Sequence, residues 1–159
     1  MGLLFLSSTG RAESLVDAWR LERQTGNVWV WRHQSHDEII GTLQSQRRAK
    51  AIQWRQIQSK DFFMNLAKKK RQLLNLIGIS SWNASDYSWS VKEGRYELTI
   101  NGNYTNSGGQ RTHFKEVHLF KDLVTYQILF TAPQSVTLKQ KLADEFINNI
   151  KTMVLKNDN

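Results

Sequence analysis

The chain contains no cysteine and only one proline in 159 residues. The absence of cysteine excludes disulfides, thiolate nucleophiles and zinc or iron–sulfur sites ligated by cysteine. The low proline content, with nine glycines and 23% charged residues, excludes a collagen-like or generally disordered chain. No apolar run approaches the roughly 18 residues of a membrane-spanning helix, so no transmembrane segment is expected. The six tryptophans and 40% hydrophobic residues that are present indicate one packed domain of ordinary size.

Motifs for catalysis or cofactor binding are also missing. His33 and His36 are close in sequence, but no histidines or carboxylates have the spacing of metal ligands on one helix. The glycines belong to no phosphate-binding loop, and no serine lies in a nucleophile elbow. Motifs therefore predict no catalytic residue, no metal site and no cofactor.

Residues 1–14, MGLLFLSSTGRAES, resemble the second half of a secretory signal. A short apolar run is followed by Gly10-Arg11-Ala12, which has the small-x-small pattern of a cleavage site. The run is shorter than the usual ~7 to 15 residues and no basic residue precedes it. We interpret residues 1–14 as a signal remnant or a disordered terminus, and residues 15–155 as a single α+β domain. This predicts a periplasmic or secreted protein, with a cytoplasmic location as the alternative.

The net charge of +8 comes from one part of the chain. Between Arg47 and Arg71 there are nine cations and one acid, whereas the remainder holds 13 of each. Such a segment could contact phosphates, anionic lipid headgroups or an acidic protein, or could be a solvated helix face. The residues of this predicted basic patch are Arg47, Arg48, Lys50, Lys68, Lys69, Lys70 and Arg71.

The first part of the chain predicts a hairpin followed by helices. The stretch from Trp19 to Arg32 has two strand-like halves around a glycine, with Leu21 expected opposite Val30. Ser35 to Glu38 fits a capping box, which predicts that a helix begins there.

Two apolar stripes after this point cannot share one straight helix, so a break is expected near residues 58–60. Ser59 is the expected N-cap of a second helix, Lys60 to Ile77, which Gly78 ends. Residues 51–57 suit either a helix or a short strand.

From residue 86 the period changes from that of a helix to that of strands, and four strands are predicted: 86–91, 95–105, 111–120 and 123–131. Pairing Ile100 with Val117 places the apolar residues of all four strands on one face. These residues are Tyr87, Trp89, Val91, Tyr96, Leu98, Ile100, Tyr104, Val117, Leu119, Val124, Tyr126, Ile128 and Phe130. A helix expected from Thr137 would cover that face. The predicted fold class is α+β, an antiparallel β-meander with helices packed on its apolar face.

The other face of the last two strands brings polar residues together among apolar ones. His118 is expected beside Thr125, and Glu116 beside Gln127. Apolar surroundings can raise a carboxyl pKa or keep an imidazole near neutrality, as acid/base chemistry requires. Glu116, His118, Thr125 and Gln127 are therefore the candidate ligand-binding residues, and a satisfied hydrogen-bond network is the alternative.

The order of elements resembles that of the PsbP-like α/β/α sandwich family. The resemblance rests on an early hairpin, a meander ending YQILFTAP at residues 126–133, and an amphipathic C-terminal helix with Phe146 and Ile150. The resemblance implies a mostly non-enzymatic, often extracytoplasmic accessory or partner-binding subunit, and transfers no functional residue. A cystatin-like or nuclear-transport-factor-like fold is the alternative architecture.

The leading hypothesis is a small, exported, non-enzymatic accessory or binding protein with a protein or anionic partner. Two alternatives are a nucleic-acid-binding module using residues 47–71 and an enzyme using Glu116 and His118.

Overall fold

The computed structural model describes residues 18–156, which form seven strands and three helices. In chain order the elements are β1 (Trp19–Thr25), β2 (Val28–His33), β3 (His36–Arg47), α1 (Trp54–Ile57), α2 (Lys60–Leu76), β4 (Ser80–Lys92), β5 (Arg95–Thr105), β6 (Arg111–Lys121), β7 (Val124–Pro133) and α3 (Lys139–Lys156). All seven strands belong to one antiparallel sheet in the order β1-β2-β3-β7-β6-β5-β4. The predicted α+β class with an antiparallel meander is confirmed.

The predicted hairpin is present, but its register differs. Gly26 lies between the strands with a φ of 58°, a left-handed conformation that glycine adopts without steric cost. Leu21 pairs with Trp31 rather than with Val30, and a bulge follows at Glu22.

The prediction that a helix begins at the capping box of Ser35 to Glu38 is wrong, because residues 36–47 form β3. This strand lies between β2 and β7, where it pairs on both sides. Ile39, Gly41 and Leu43 are buried on one face in strict alternation. Because Gly41 has no side chain, the sequence shows only the two apolar residues four apart, which is also the spacing of a helix.

The helices that follow agree with the sequence. The first, α1, is helical over residues 54–57, and Ser59 is the N-cap of α2, with its side chain accepting a hydrogen bond from the Phe62 backbone N–H at 3.1 Å. After α2, Gly78 has a φ of 77° and leaves the helical path, as expected of a helix-ending glycine.

The predicted register between the second and third meander strands is wrong by one residue. Ile100 of β5 pairs with Glu116, and Thr99 pairs with Val117. A shift of one residue inverts the faces of a strand, so the predicted apolar face divides in two. Tyr87 to Tyr104 of the predicted set lie on one side of the sheet, and Val117 to Phe130 lie on the other.

Each side of the sheet consequently has its own hydrophobic core. On one side α3 contributes Phe146, Ile150 and neighbouring residues to a core with Trp31, Leu43 and Ile128. On the other side α1 and α2 contribute residues 57, 63 and 67 to a core with β4, β5 and β6. The expectation of helices on one apolar face is corrected to helices on both faces. The helix α2 covers β4, β5 and β6 on one face, and α3 covers β1, β2, β3, β7 and β6 on the other.

The predictions for residues 1–14, including the signal remnant and the cellular location, lie outside the described residues. The boundaries of a single domain at 15–155 stay a prediction. Among residues 18–156, no helix combines the length and apolar character needed to cross a membrane.

Candidate functional site

The four candidate polar residues lie together on the surface of the sheet that faces α2. Strand alternation places Glu116 and His118 of β6 on this surface, next to Thr125 and Gln127 of β7. His118 pairs with Gln127, whereas the predicted partner was Thr125, so the register differs by two residues. An even shift keeps every side chain on its own face, and the four residues remain neighbours.

Glu116 is the centre of this polar network and its side chain is 0% exposed. Its Oε1 lies 2.5 Å from His118 Nε2 and accepts a hydrogen bond of 2.8 Å from Gln127 Nε2. The ammonium group of Lys70, which projects from α2, contacts Oε2. Both carboxylate oxygens are therefore occupied by partners from β6, β7 and α2.

Burial opposes the charge of Glu116 and by itself raises the pKa of its carboxyl group. The positive charges of Lys70 and His118, together with their hydrogen bonds, outweigh burial and lower this pKa from 4.5 to about 2. Glu116 is thus ionised at neutral pH, and its interaction with Lys70 ties α2 to the sheet.

Two residues of this region were not among the candidates of the ligand-binding site. Lys70 interrupts the apolar stripe of α2, and this interruption was the available signal that it meets a buried acid. Arg48 donates from Nε to the Thr125 hydroxyl at 2.6 Å and places its guanidinium 5.6 Å from the centre of the Phe120 ring. Nothing in the local sequence of Arg48 indicates these partners, because Thr125 is 77 residues away.

A narrow cleft of about 160 Å³ opens beside the network. It is lined by Gln44, Gln46, Arg48, Leu66, His118, Thr125 and Gln127. Pockets for organic ligands measure about 300–1,000 Å³, so this cleft is small for such a ligand.

The predicted basic patch is divided by the fold. Lys70 contacts Glu116, Arg71 donates to the Trp82 carbonyl oxygen at 3.3 Å, and Arg48 lies on Phe120. The exposed members of the patch lie at or just after the end of β3 and on α2; they are Arg47, Lys50, Lys68, Lys69 and Arg71. Two of the seven cations, Arg48 and Lys70, are therefore partly buried against the sheet.

A larger surface lies on the same side of the sheet as α2, over the strands that α2 leaves uncovered. Within residues 18–156, no helix covers this side of β1, β2 and β3, and a hollow of about 660 Å³ lies there. We call this surface the open face. By strand alternation its residues are Arg20, Arg23, Val28, Val30, Arg32, Ile40, Thr42, Gln44 and, from β7, Leu129.

The open face combines an apolar floor with a cationic edge. Val28, Val30 and Ile40 are half-buried and line the hollow, together with Arg23 and Arg32. Two acids border it: Glu38, which is exposed two residues before Ile40 on β3, and Glu22, whose carboxylate accepts two hydrogen bonds of 3.1 Å from Arg32.

The other uncovered part of the sheet is chemically different. On the α3-facing side of β4 and β5, the side chains are hydroxyls, amides and a carboxylate: Asp86, Ser88, Ser90, Thr99, Asn101 and Asn103. Asn101 Nδ2 donates to Asp86 at 3.0 Å, so this surface partly satisfies itself. Such side chains are typical of strands facing water. Of these two surfaces in the described part of the chain, the open face is the one on which half-buried apolar residues lie next to arginines.

No group of three or more histidine or acidic side chains within residues 18–156 is placed to hold a metal ion. His33 and His36 have ring centres 5.3 Å apart, and the His33 ring contacts the edge of Trp19. These histidines pack at the β2–β3 turn.

No protein-family model and no curated protein matches the chain. Three solved structures resemble its fold. A Bacteroides thetaiotaomicron protein is 12% identical with a TM-score of 0.46 over 81% of this chain, which spans 39% of that protein's length. The Pseudomonas aeruginosa protein of unknown function PA94 is 8% identical with a TM-score of 0.45, and the match covers 74% of this chain and 84% of PA94.

The Saccharomyces cerevisiae Ran-binding protein Mog1p is 9% identical with a TM-score of 0.48, and the match covers 87% of this chain and 82% of Mog1p. At TM-scores below 0.5, these similarities assign no family, partner or activity to this chain.

Proposed function

We propose that this chain is a non-enzymatic accessory protein that binds an acidic protein partner on the open face. The observation that carries the proposal is the composition of that surface: half-buried valine and isoleucine side chains with arginines along one edge, uncovered within residues 18–156. Contiguous exposed apolar surface with a polar rim is typical of protein interaction sites. Arginine is also enriched in such interfaces because its planar group binds carboxylates with two hydrogen bonds.

The environment of Glu116 argues against the alternative of an enzyme. A general acid or base must exchange a proton with substrate at a pH near its pKa. The Glu116 carboxyl has a pKa of about 2 and no exposed surface, and Lys70 occupies one of its oxygens. These properties suit a structural ion pair.

The division of the basic patch argues against a nucleic-acid-binding module. Binding to a phosphate backbone requires several cations along one path. Lys70 is instead engaged with Glu116 and Arg71 with the Trp82 carbonyl oxygen, which leaves fewer cations for a phosphate backbone. The interpretation of residues 1–14 as a signal remnant makes an extracytoplasmic location part of the proposal.

The experiment maps the contacts of two polyanions by amide chemical shifts of the isotope-labelled protein. Poly-L-glutamate at low salt should perturb Arg23, Val30 and Ile40, and short duplex DNA at equal charge concentration should bind more weakly. The variant Arg23→Glu should weaken the binding of poly-L-glutamate about tenfold, because reversing a charge replaces attraction by repulsion.

Arg111→Glu is the matched control, since Arg111 is an exposed strand arginine outside the open face. It should leave the affinity within about twofold of the unmodified protein. Shift changes confined to Lys68 and Lys69, or DNA binding tighter than that of poly-L-glutamate at the same residues, would reject the protein-binding proposal.

A further inference from the structure

Resting on the proposed function, we infer that the partner presents an amphipathic α-helix carrying carboxylates, which lies on the open face alongside α2. In this position the helix would complete the layer that α2 begins on its side of the sheet. The inference follows from the width of the uncovered surface, from the side of α2 that borders it and from the position of the cations.

The uncovered strip has the width of one helix. Adjacent strands lie about 4.8 Å apart, so the centres of β7 and β1, which are separated by β3 and β2, are about 14 Å apart. A helix with its side chains is about 10–12 Å wide. One helix therefore fills the strip between α2 and the edge of the sheet, and two would not fit.

The flank of α2 that borders the strip is apolar. Leu66 lines the cleft over β3 and β7, and Leu73 lies two turns later on the same side of the helix. Leu73 is 66% exposed within the described part of the chain. The position of Leu73 along the sheet follows from its neighbour Lys70, which contacts Glu116. Glu116 pairs with Leu129 of β7, so Leu73 lies near the level of Leu129. At this level the neighbouring floor residue is Thr42, which pairs with both Leu129 and Val30.

Cations border the strip on both long sides. Arg20 and Arg23 lie on β1 at the sheet edge, and Lys69 lies on α2 one turn before Leu73. Two acids, Glu22 and Glu38, also lie near the strip: Glu22 is paired with Arg32, and Glu38 is exposed at the start of β3. A helix with an apolar face and carboxylates on both flanks would match this arrangement, because the acids of one flank would face Arg20 and Arg23 and those of the other would face Lys69.

A second copy of this chain is a weaker candidate for the occupant. Two open faces brought together would place their arginines against each other, and like charges oppose association. An extended peptide would instead pair with the free backbone groups of an edge strand such as β1, which does not require the floor of the open face.

The test is a selection from a displayed library of random peptides of about 18 residues, long enough for a helix of about 27 Å. Selection against the full protein should enrich peptides with apolar residues at i, i+3, i+4 and i+7 and with Asp or Glu on both flanks. A selected peptide should gain helical circular dichroism when the protein is added. Its binding is then measured by fluorescence anisotropy against variants.

Two pairs of variants with matched controls test the contacts. Val30→Glu on the floor should weaken the binding of the selected peptide at least about tenfold, whereas Val91→Glu, at an exposed valine of β4, should not. Leu73→Glu should weaken it about tenfold, whereas Met64→Glu should not, because Met64 lies on the opposite flank of α2, on the side of Arg71.

The outcomes separate this inference from the proposed function. If the enriched peptides alternate apolar and polar residues as a strand does, and bind equally well to Leu73→Glu, the inference of a helical partner is overturned. The proposal of an acidic partner on the open face then still holds. Peptide binding that is unaffected by both Val30→Glu and Leu73→Glu would overturn the inference as well. Self-association of the protein that Val30→Glu abolishes would identify a second copy as the occupant. Loss of poly-L-glutamate binding at the open face would overturn both proposals.

Discussion

At the scale of single residues, Gly41 shows how one missing side chain shapes both the core and its interpretation. The ring of Phe146 from α3 lies directly on this glycine, and a Cβ added there would be 2.2 Å from the Phe146 ring. The same ring contacts Trp19 and Trp31, with centres 4.7 and 5.8 Å away. Gly41 therefore permits the close approach of α3 to β3, an interior strand of the sheet.

We predict that Gly41→Ala lowers the free energy of unfolding by about 1–3 kcal/mol, because the added methyl group overpacks the core. Urea denaturation measures this change. Gly108→Ala is the control, since an added Cβ there meets no atom closer than 3.4 Å and no positive φ is required. Phe146→Leu combined with Gly41→Ala should cost less than the sum of the two single changes. An unchanged stability of Gly41→Ala would show that Phe146 can move aside at no cost.

At the scale of elements, the contact of Lys70 with Glu116 attaches α2 to β6. Side chains of Lys70 and Glu116 are 18% and 0% exposed, so removing one partner leaves the other charge in a poorly hydrated place. The neighbouring ring contacts of Phe62 with Phe120 and of Phe63 with Tyr87 hold the same helix by apolar burial.

We expect Lys70→Met to lower the free energy of unfolding by about 3 kcal/mol, the usual cost of breaking a buried ion pair. The double variant Lys70→Met with Glu116→Met should be more stable than the sum of the single changes predicts, since no unpaired charge remains. Lys69→Met, at an exposed neighbour, should change little. Strict additivity of the two single changes in urea denaturation at pH 7 would contradict a direct interaction.

The registers of the strands also belong to this scale. The last three strands of the meander were predicted to within two residues of their bounds, whereas β4 begins at Ser80, six residues before its predicted start. Within the meander, Ile100 pairs with Glu116 instead of Val117. The turn between β5 and β6, in which the Asn106 backbone N–H donates to Gln110 at 2.9 Å, places Thr105 opposite Arg111 and determines this pairing. A difference of one residue in a turn cannot be detected from alternation when both faces of the strand are partly covered.

At the scale of the whole molecule, helices on opposite sides of one sheet leave two uncovered surfaces. On one side of the sheet α2 covers β4, β5 and β6, and on the other side α3 covers β1, β2, β3, β7 and β6. Of these two surfaces within residues 18–156, the open face is the one that combines half-buried apolar side chains with arginines. Its chemistry depends on strands from both ends of the described chain, because β3 pairs with β7 and brings the first hairpin beside the meander.

Acid should unfold the molecule in a pH range that Glu116 determines. The folded pKa of about 2 lies below the ordinary 4.5, so the unfolded chain takes up the proton first as the pH falls. The stabilisation from this group is complete above about pH 4.5 and is lost between about pH 4.5 and 2, at a total cost of about 3 kcal/mol.

Glu116→Gln should therefore be less stable than the unmodified protein at pH 7, and its stability should fall less steeply between pH 4.5 and 2. Denaturant unfolding at a series of pH values measures both effects. Glu93→Gln, at a carboxylate with 86% of its side chain exposed, should retain the steep decline. An equally steep decline in Glu116→Gln would assign the acid sensitivity to other groups.

Local patterns in the chain were sufficient to predict the hairpin at Gly26, the N-cap at Ser59, the end of α2 and the meander strands, because caps, turns and alternation depend on residues that are near in sequence. They also placed Glu116, His118, Thr125 and Gln127 on one face, since adjacent strands joined by a short turn have few registers. The strand β3, the ion pair with Lys70 and the open face required the fold. Each depends on groups far apart in the chain. The burial of β3 depends on Phe146 packing against Gly41, and the ion pair depends on α2 packing against β6. The open face exists because α2 does not extend over the first three strands.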